Sequence, residues 1–223
     1  MSSADDSGQL LQDHDCAPPL APERDTSEES AGKNSLTESS ELDDEGSVDE
    51  NGVTTLMEAA KRNDVDAVKR YIHYQARMVA RFVTAGMVEI YDGTALMVAA
   101  VLGHVETVKL LMRCEGGMRS SNDLTALMWA AANGRTEVVK LLLDVEGGMT
   151  KDKDFTALTA AAYFGRLDCV KLLLEKEKNI SGRHALCVAD MEGHSEVVSL
   201  LESEGITDPD LRMPPRKLVS ERT

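Results

Sequence analysis

Five stretches of this chain align with one another without gaps. They start at Thr54, Thr94, Thr125, Thr156 and His184, at intervals of 40, 31, 31 and 28 residues. Each carries a leucine at its third position: Leu56, Leu96, Leu127, Leu158 and Leu186. Four carry an alanine pair at one offset: Ala59–Ala60, Ala99–Ala100, Ala130–Ala131 and Ala161–Ala162. Four carry a glycine at one offset: Gly103, Gly134, Gly165 and Gly193. A unit of about thirty residues is too small to bury its own apolar face, so the repeats must stack and share one continuous core.

Within a unit, the spacing predicts two short antiparallel helices. The first runs from the Thr-Ala-Leu to just before the glycine. Leu96, Ala99 and Ala100 lie three and four apart on its buried face. Thr94, Thr125 and Thr156 suit its N-cap, and the glycines suit a left-handed residue at its end. The second helix pairs an early acid with a lysine three residues on: Glu106–Lys109, Glu137–Lys140 and Asp168–Lys171. Its apolar stripe is Val108, Leu111, Val139, Leu142, Val170 and Leu173. The first unit is longer before Thr94, and residues 73–93 read either as an extended second helix or as a long finger between repeats. In the last unit Asp190 replaces the second alanine, which suits a polar terminal cap.

This unit resembles the ankyrin repeat. Thr94–Leu96, Thr125–Leu127 and Thr156–Leu158 match the start of the family pattern, followed by the alanine pairs and by Gly103–His104 and Gly193–His194. The likeness spans about residues 53–203. Alanine stands for the family's proline, methionine (Met57, Met97, Met128) for its histidine, and the period is 31. This Thr-Ala-Leu-Met form looks like the large ankyrin arrays of diplomonad protists. The expected fold is an all-α ankyrin solenoid of about five helix pairs at residues 53–203. An acidic disordered tail at 1–52 precedes it, and a flexible tail at 204–223 follows.

Charge supports that division. Residues 1–52 hold 15 Asp and Glu against Arg24 and Lys33, and the rest of the chain is nearly neutral. So polar a segment cannot bury enough surface to offset its ordering entropy. Thr26, Ser35, Ser40 and Ser47 each lie three residues before an acid, a spacing that suits an acid-directed kinase. A neutral array is a poor partner for nucleic acid. No apolar run approaches the roughly 18 residues of a membrane span. Residues 2–15 do not read as a signal peptide. Cysteines at 16, 114, 169 and 187 show no zinc spacing, which suits a reducing cytoplasm.

No phosphate loop, GxSxG motif or kinase signature occurs, so no catalytic residue, cofactor or metal is expected. His104 and His194 fall at one repeat position and read as packing residues. The resemblance implies a monomeric module that binds partner proteins through a concave groove, as an adaptor or scaffold. It also allows a regulatory subunit or inhibitor of a kinase or cytoskeletal protein, with the phosphorylatable tail competing for the groove. Cytoskeletal association is likewise an implication of the resemblance. It points the two residues before each glycine, and those just before each threonine, into the groove. The resulting candidate site has an apolar centre of Val101, Leu102, Phe155, Tyr163 and Phe164. Tyr91 and Leu124 join it from the fingers, and Lys61 and Arg62 form a basic flank. Trp129 is assigned to packing between units.

Overall fold

The computed structural model describes residues 46–152 and 154–208. Inner helices α1 (Thr55–Arg62), α3 (Ala95–Leu102), α5 (Ala126–Ala132) and α7 (Ala157–Tyr163) stack in one layer. Outer helices α2 (Val65–Gln75), α4 (Val105–Glu115), α6 (Thr136–Glu146) and the first part of α8 (Leu167–Met191) form the second layer, and α9 (Ser195–Ser203) ends the array. The hydroxyls of Thr54, Thr94, Thr125 and Thr156 accept a backbone N–H in the first turn of each inner helix. Gly103 then ends α3 in the left-handed region, with φ 84°. Leucines 56, 96, 127 and 158 and the alanine pairs are fully buried between the layers. Small alanines let the inner backbones approach closely, which is how a core with few rings stays filled.

The 40-residue first interval resolves as a long finger. Strands β1 (Ala80–Ala85) and β2 (Val88–Gly93) form an antiparallel hairpin around Gly86 and Met87. Val83 opposite Ile90 buries one face against α3, while Phe82 opposite Tyr91 lies on the other. The later fingers are short turns. Neighbouring fingers are tied in a row: Arg81 N–H to the Asn51 carbonyl at 2.8 Å, Ser121 N–H to the Tyr91 carbonyl at 3.0 Å. Arg119 continues the row to the Thr150 carbonyl at 2.9 Å.

Three boundaries differ from the sequence reading. Residues 46–52, assigned to the acidic tail, form a turn on the first repeat. Val48 bridges Thr54, and Ser47 bonds Thr55, because the polar turn supplies the missing first finger. At the other end Ile206, assigned to the C-terminal tail, buries against Gly182. The remainder of both tails, with Thr26, Ser35 and Ser40, lies outside the described residues. Third, no separate finger precedes the last repeat. Glu177 meets Leu158 near the start of α7, so residues 167–177 run antiparallel to that helix. Ser181 meets Thr156 and His184 the Asp154 carbonyl, farther along in the same direction, whereas His194 meets Tyr163 at the other end of α7. The chain therefore reverses between His184 and His194, and residues Leu167–Met191 are helical. Lys178 and Asn179 stand where Gly147 and Gly148 make a turn one repeat earlier, and the interval is three residues shorter.

Buried acids link the repeats. Glu115, Glu146 and Glu177, at equivalent positions of successive outer helices, are fully buried. One oxygen of each accepts the N–H of Leu96, Leu127 or Leu158, in the first turn of its own inner helix, at 2.6–2.7 Å. The other accepts an N–H from the turn before: Arg77 at 3.0 Å, Gly117 at 2.9 Å, Gly148 at 2.9 Å. The Leu96, Leu127 and Leu158 amides are ones that a helix start leaves without an internal partner. Gln75 holds the same place in the first repeat. Its oxygen takes the Leu56 N–H at 2.8 Å, but its amide nitrogen donates to the Ser47 carbonyl. The side chain thus matches its second partner, carboxylate for a donor and amide for an acceptor.

Exchanging the two types should fail in both directions. Glu146→Gln leaves one N–H facing an NH2 group, and Gln75→Glu sets a carboxylate against a carbonyl. Each should cost on the order of 1–3 kcal/mol, read as a fall in Tm of roughly 2–4 °C per kcal/mol. Burial pushes the Glu115 and Glu146 carboxyls above the ordinary 4.5, only partly offset by their N–H donors. A carboxyl raised in the folded state favours folding when protonated, and that contribution is lost as pH rises through its folded pKa. Acidifying from neutral toward pH 4.5 should therefore stabilise the array through these two groups. Thermal melts across that window should show a smaller rise in the Glu115→Gln/Glu146→Gln double variant.

Candidate functional site

Each inner helix turns three positions away from the outer layer, at spacings of three and four residues. They are Glu58, Lys61 and Arg62; Val98, Val101 and Leu102; Trp129, Ala132 and Asn133; Ala160, Tyr163 and Phe164; and Val188, Met191 and Glu192. Together they form the floor of a groove flanked by the finger row.

The hairpin divides this floor. Val101, expected at the apolar centre, is 2% exposed, and Val98 beside it is wholly buried. Both join the same core as Val83, Ala85 and Ile90, and the hairpin strands pack on α3. Leu102 is half-buried, next to Gly86 at the hairpin turn. The basic flank is also altered. Lys61 donates to Thr84 of the hairpin at 3.1 Å, and Lys61 and Arg62 both lie within 4 Å of Glu58. Their charge is shared with that acid, which weakens them as a landing point for the acidic tail.

Beyond the hairpin the floor opens. Tyr163 and Phe164 are 42% and 49% exposed, with ring centroids 4.9 Å apart and near-perpendicular planes. Met191 is 75% exposed. Trp129, assigned to packing, is half-buried on this same floor, and its Nε1 is buried with no hydrogen-bond partner among the described residues. Its place was legible: it precedes Ala132 and Asn133 as Glu58 precedes Lys61 and Arg62. The finger residues spread out. Tyr91 is exposed and packs its ring 5.3 Å from Phe82 on the hairpin. Leu124 is half-buried against the core. Phe155 is half-buried, 6.2 Å from the His184 ring and below Lys151.

Phe155 and His184 line an open cleft of about 860 Å³ where a fifth finger would otherwise stand. The cations at its rim are engaged: Lys178 by Glu204 at 3.8 Å, Arg183 by Asp208 at 3.3 Å. Among the described residues no group of His, Cys, Asp and Glu is arranged to hold a metal ion, and no helix is long and apolar enough to cross a membrane. Burial in the core, helped by the neighbouring Asp168 charge, pushes the Cys169 thiol up to about 11.

A family model for ankyrin repeats in three copies matches residues 32–116, 56–152 and 146–212. The chain is an ankyrin-repeat protein. No curated protein matches it. Ankyrin repeats act as protein–protein interaction modules.

The two ends of the predicted site should respond differently to polar substitution. Val101→Ser opens a cavity under the hairpin and should cost roughly 1–3 kcal/mol. Tyr163→Ser with Phe164→Ser removes exposed rings and should stay within about 1 kcal/mol, each exposed site contributing no more than ~0.5. Urea denaturation followed by circular dichroism measures both. Equal destabilisation would contradict the division of the groove.

Proposed function

We propose that this protein is an adaptor or scaffold that holds a partner protein on the groove floor of its third to fifth repeats. The observation that carries the reading is the exposed set of Tyr163, Phe164 and Met191, next to Trp129, on a face that repeats one, two and the hairpin leave unobstructed. Large side chains exposed in the middle of a preformed groove are where binding energy concentrates. Their backbone is fixed by helices stacked on a buried polar column, so little ordering cost remains at binding. Methionine adds a side chain that adapts to differently shaped apolar groups.

The test compares the full chain with its Tyr163→Ser/Phe164→Ser variant as bait in cell extract, with captured proteins quantified by mass spectrometry. The reading predicts a set of partners retained by the native chain and depleted at least about tenfold on the variant, or about 1.4 kcal/mol. Helical content should be equal by circular dichroism. Identical capture by both baits places the contact elsewhere.

A further inference from the structure

Alongside the exposed rings runs a second row. The side chain that follows each inner-helix glycine reaches back to the preceding repeat. There it meets a carbonyl in the last turn of that repeat's inner helix. His104 Nδ1 lies 2.8 Å from the Ala60 carbonyl. Arg135 Nε donates to Val101 at 2.9 Å and Arg166 Nε to Ala132 at 3.1 Å. His194 Nε2 lies 2.9 Å from the Tyr163 carbonyl. Each of the last three passes over a glycine of that preceding repeat, Gly103, Gly134 or Gly165. A Cβ there would fall 2.6–3.2 Å from the crossing side chain. Both arginines are exposed, and neither forms an ion pair among the described residues. Beyond the hairpin the array therefore carries an apolar strip of Trp129, Phe164 and Met191 edged by Arg135 and Arg166.

We infer that this strip takes an amphipathic α-helix of the partner, set with one apolar side chain per repeat and acidic residues along the edge facing Arg135 and Arg166. The inference rests on the groove reading above and names its occupant. Packed helices stand about 8–10 Å apart, and a helix rises ~1.5 Å per residue, so seven residues cover one repeat. A heptad spacing of apolar groups then stays in step with the floor. From Trp129 to Met191 are two intervals, roughly 20 Å, the length of a helix of about 14 residues. Backbone chemistry selects the helix over an extended segment. The carbonyls along this edge accept from the histidines and arginines, and the hairpin's two edges are bonded to Asn51 and Ser121. An extended peptide would lay unpaired N–H and C=O groups over an apolar floor, whereas a helix pairs its own. The two unpaired guanidiniums supply the charge that an acidic flank complements.

The test is selection of a displayed library of random 21-residue peptides on the full chain, on Arg135→Glu/Arg166→Glu, and on Tyr163→Ser/Phe164→Ser. The native chain should enrich peptides with apolar residues at spacings of three, four and seven and an excess of Asp and Glu. Synthesised winners should be helical when bound and should lose at least about tenfold in affinity on the charge-reversed variant. Enrichment of proline-rich or alternating peptides, or indifference to Arg135→Glu/Arg166→Glu, overturns the inference. If those peptides still need Tyr163 and Phe164, the groove reading survives it. Winners indifferent to Tyr163 and Phe164 remove the groove reading and this inference together. An empty selection also overturns it, since a preformed strip and a self-paired helix need nothing else.

Discussion

The fold depends on a polar contact at the heart of an apolar stack. Inner helices of seven or eight residues are marginal alone, and their first amides have no partner within the helix. In three repeats a buried glutamate from the end of the outer helix receives such an amide with one oxygen and an amide from the preceding turn with the other. One side chain therefore joins an outer helix, its own inner helix and the repeat before. Apolar burial presses the layers together but is indifferent to sliding; a carboxylate shared between two named N–H groups fixes the register. The same burial makes the charged form expensive, which is why the donors must be present.

Much of this was written in the repeat itself. The threonine caps, alanine pairs, glycine stops and exposed acid–lysine pairs recur often enough to reveal two helices per unit, and each sits on the face its spacing predicts. The glutamate column is harder to read, because Glu115 and Glu146 precede a Gly-Gly, a pattern that marks a turn. The signal was available: Gln75, Glu115, Glu146 and Glu177 keep the same distance, 19 residues, from the leucine whose amide they receive. The unbroken helix α8 was less legible, because losing three residues and two glycines does not say whether a loop shortens or vanishes.

The candidate site was read less well than the fold, for a physical reason. Equivalent positions in a repeat were treated as equivalent surfaces, yet a surface also depends on what lies over it. Val101 and Tyr163 hold the same place in α3 and α7, two repeats apart. The first is buried because a fourteen-residue hairpin spanning Ala80–Gly93 leans on it; the second is bare because the turn before its repeat is short. Trp129, inside the first helix of its unit, reads as facing the neighbouring unit, although its helical phase places it beside Ala132. The arginines at 135 and 166 were hidden by their alignment with His104 and His194, whose family role is internal.

The hairpin also settles a problem inherent in periodic surfaces. An array of near-identical units offers a long ligand several equally good placements, each offset by one unit, and such a ligand could creep along it. Here one end of the track is closed by the hairpin with its exposed turn at Met87, and the other ends at the acidic pair Asp190 and Glu192. A bound chain thus meets a stop at each side, and a repetitive scaffold acquires a single origin from which position can be counted.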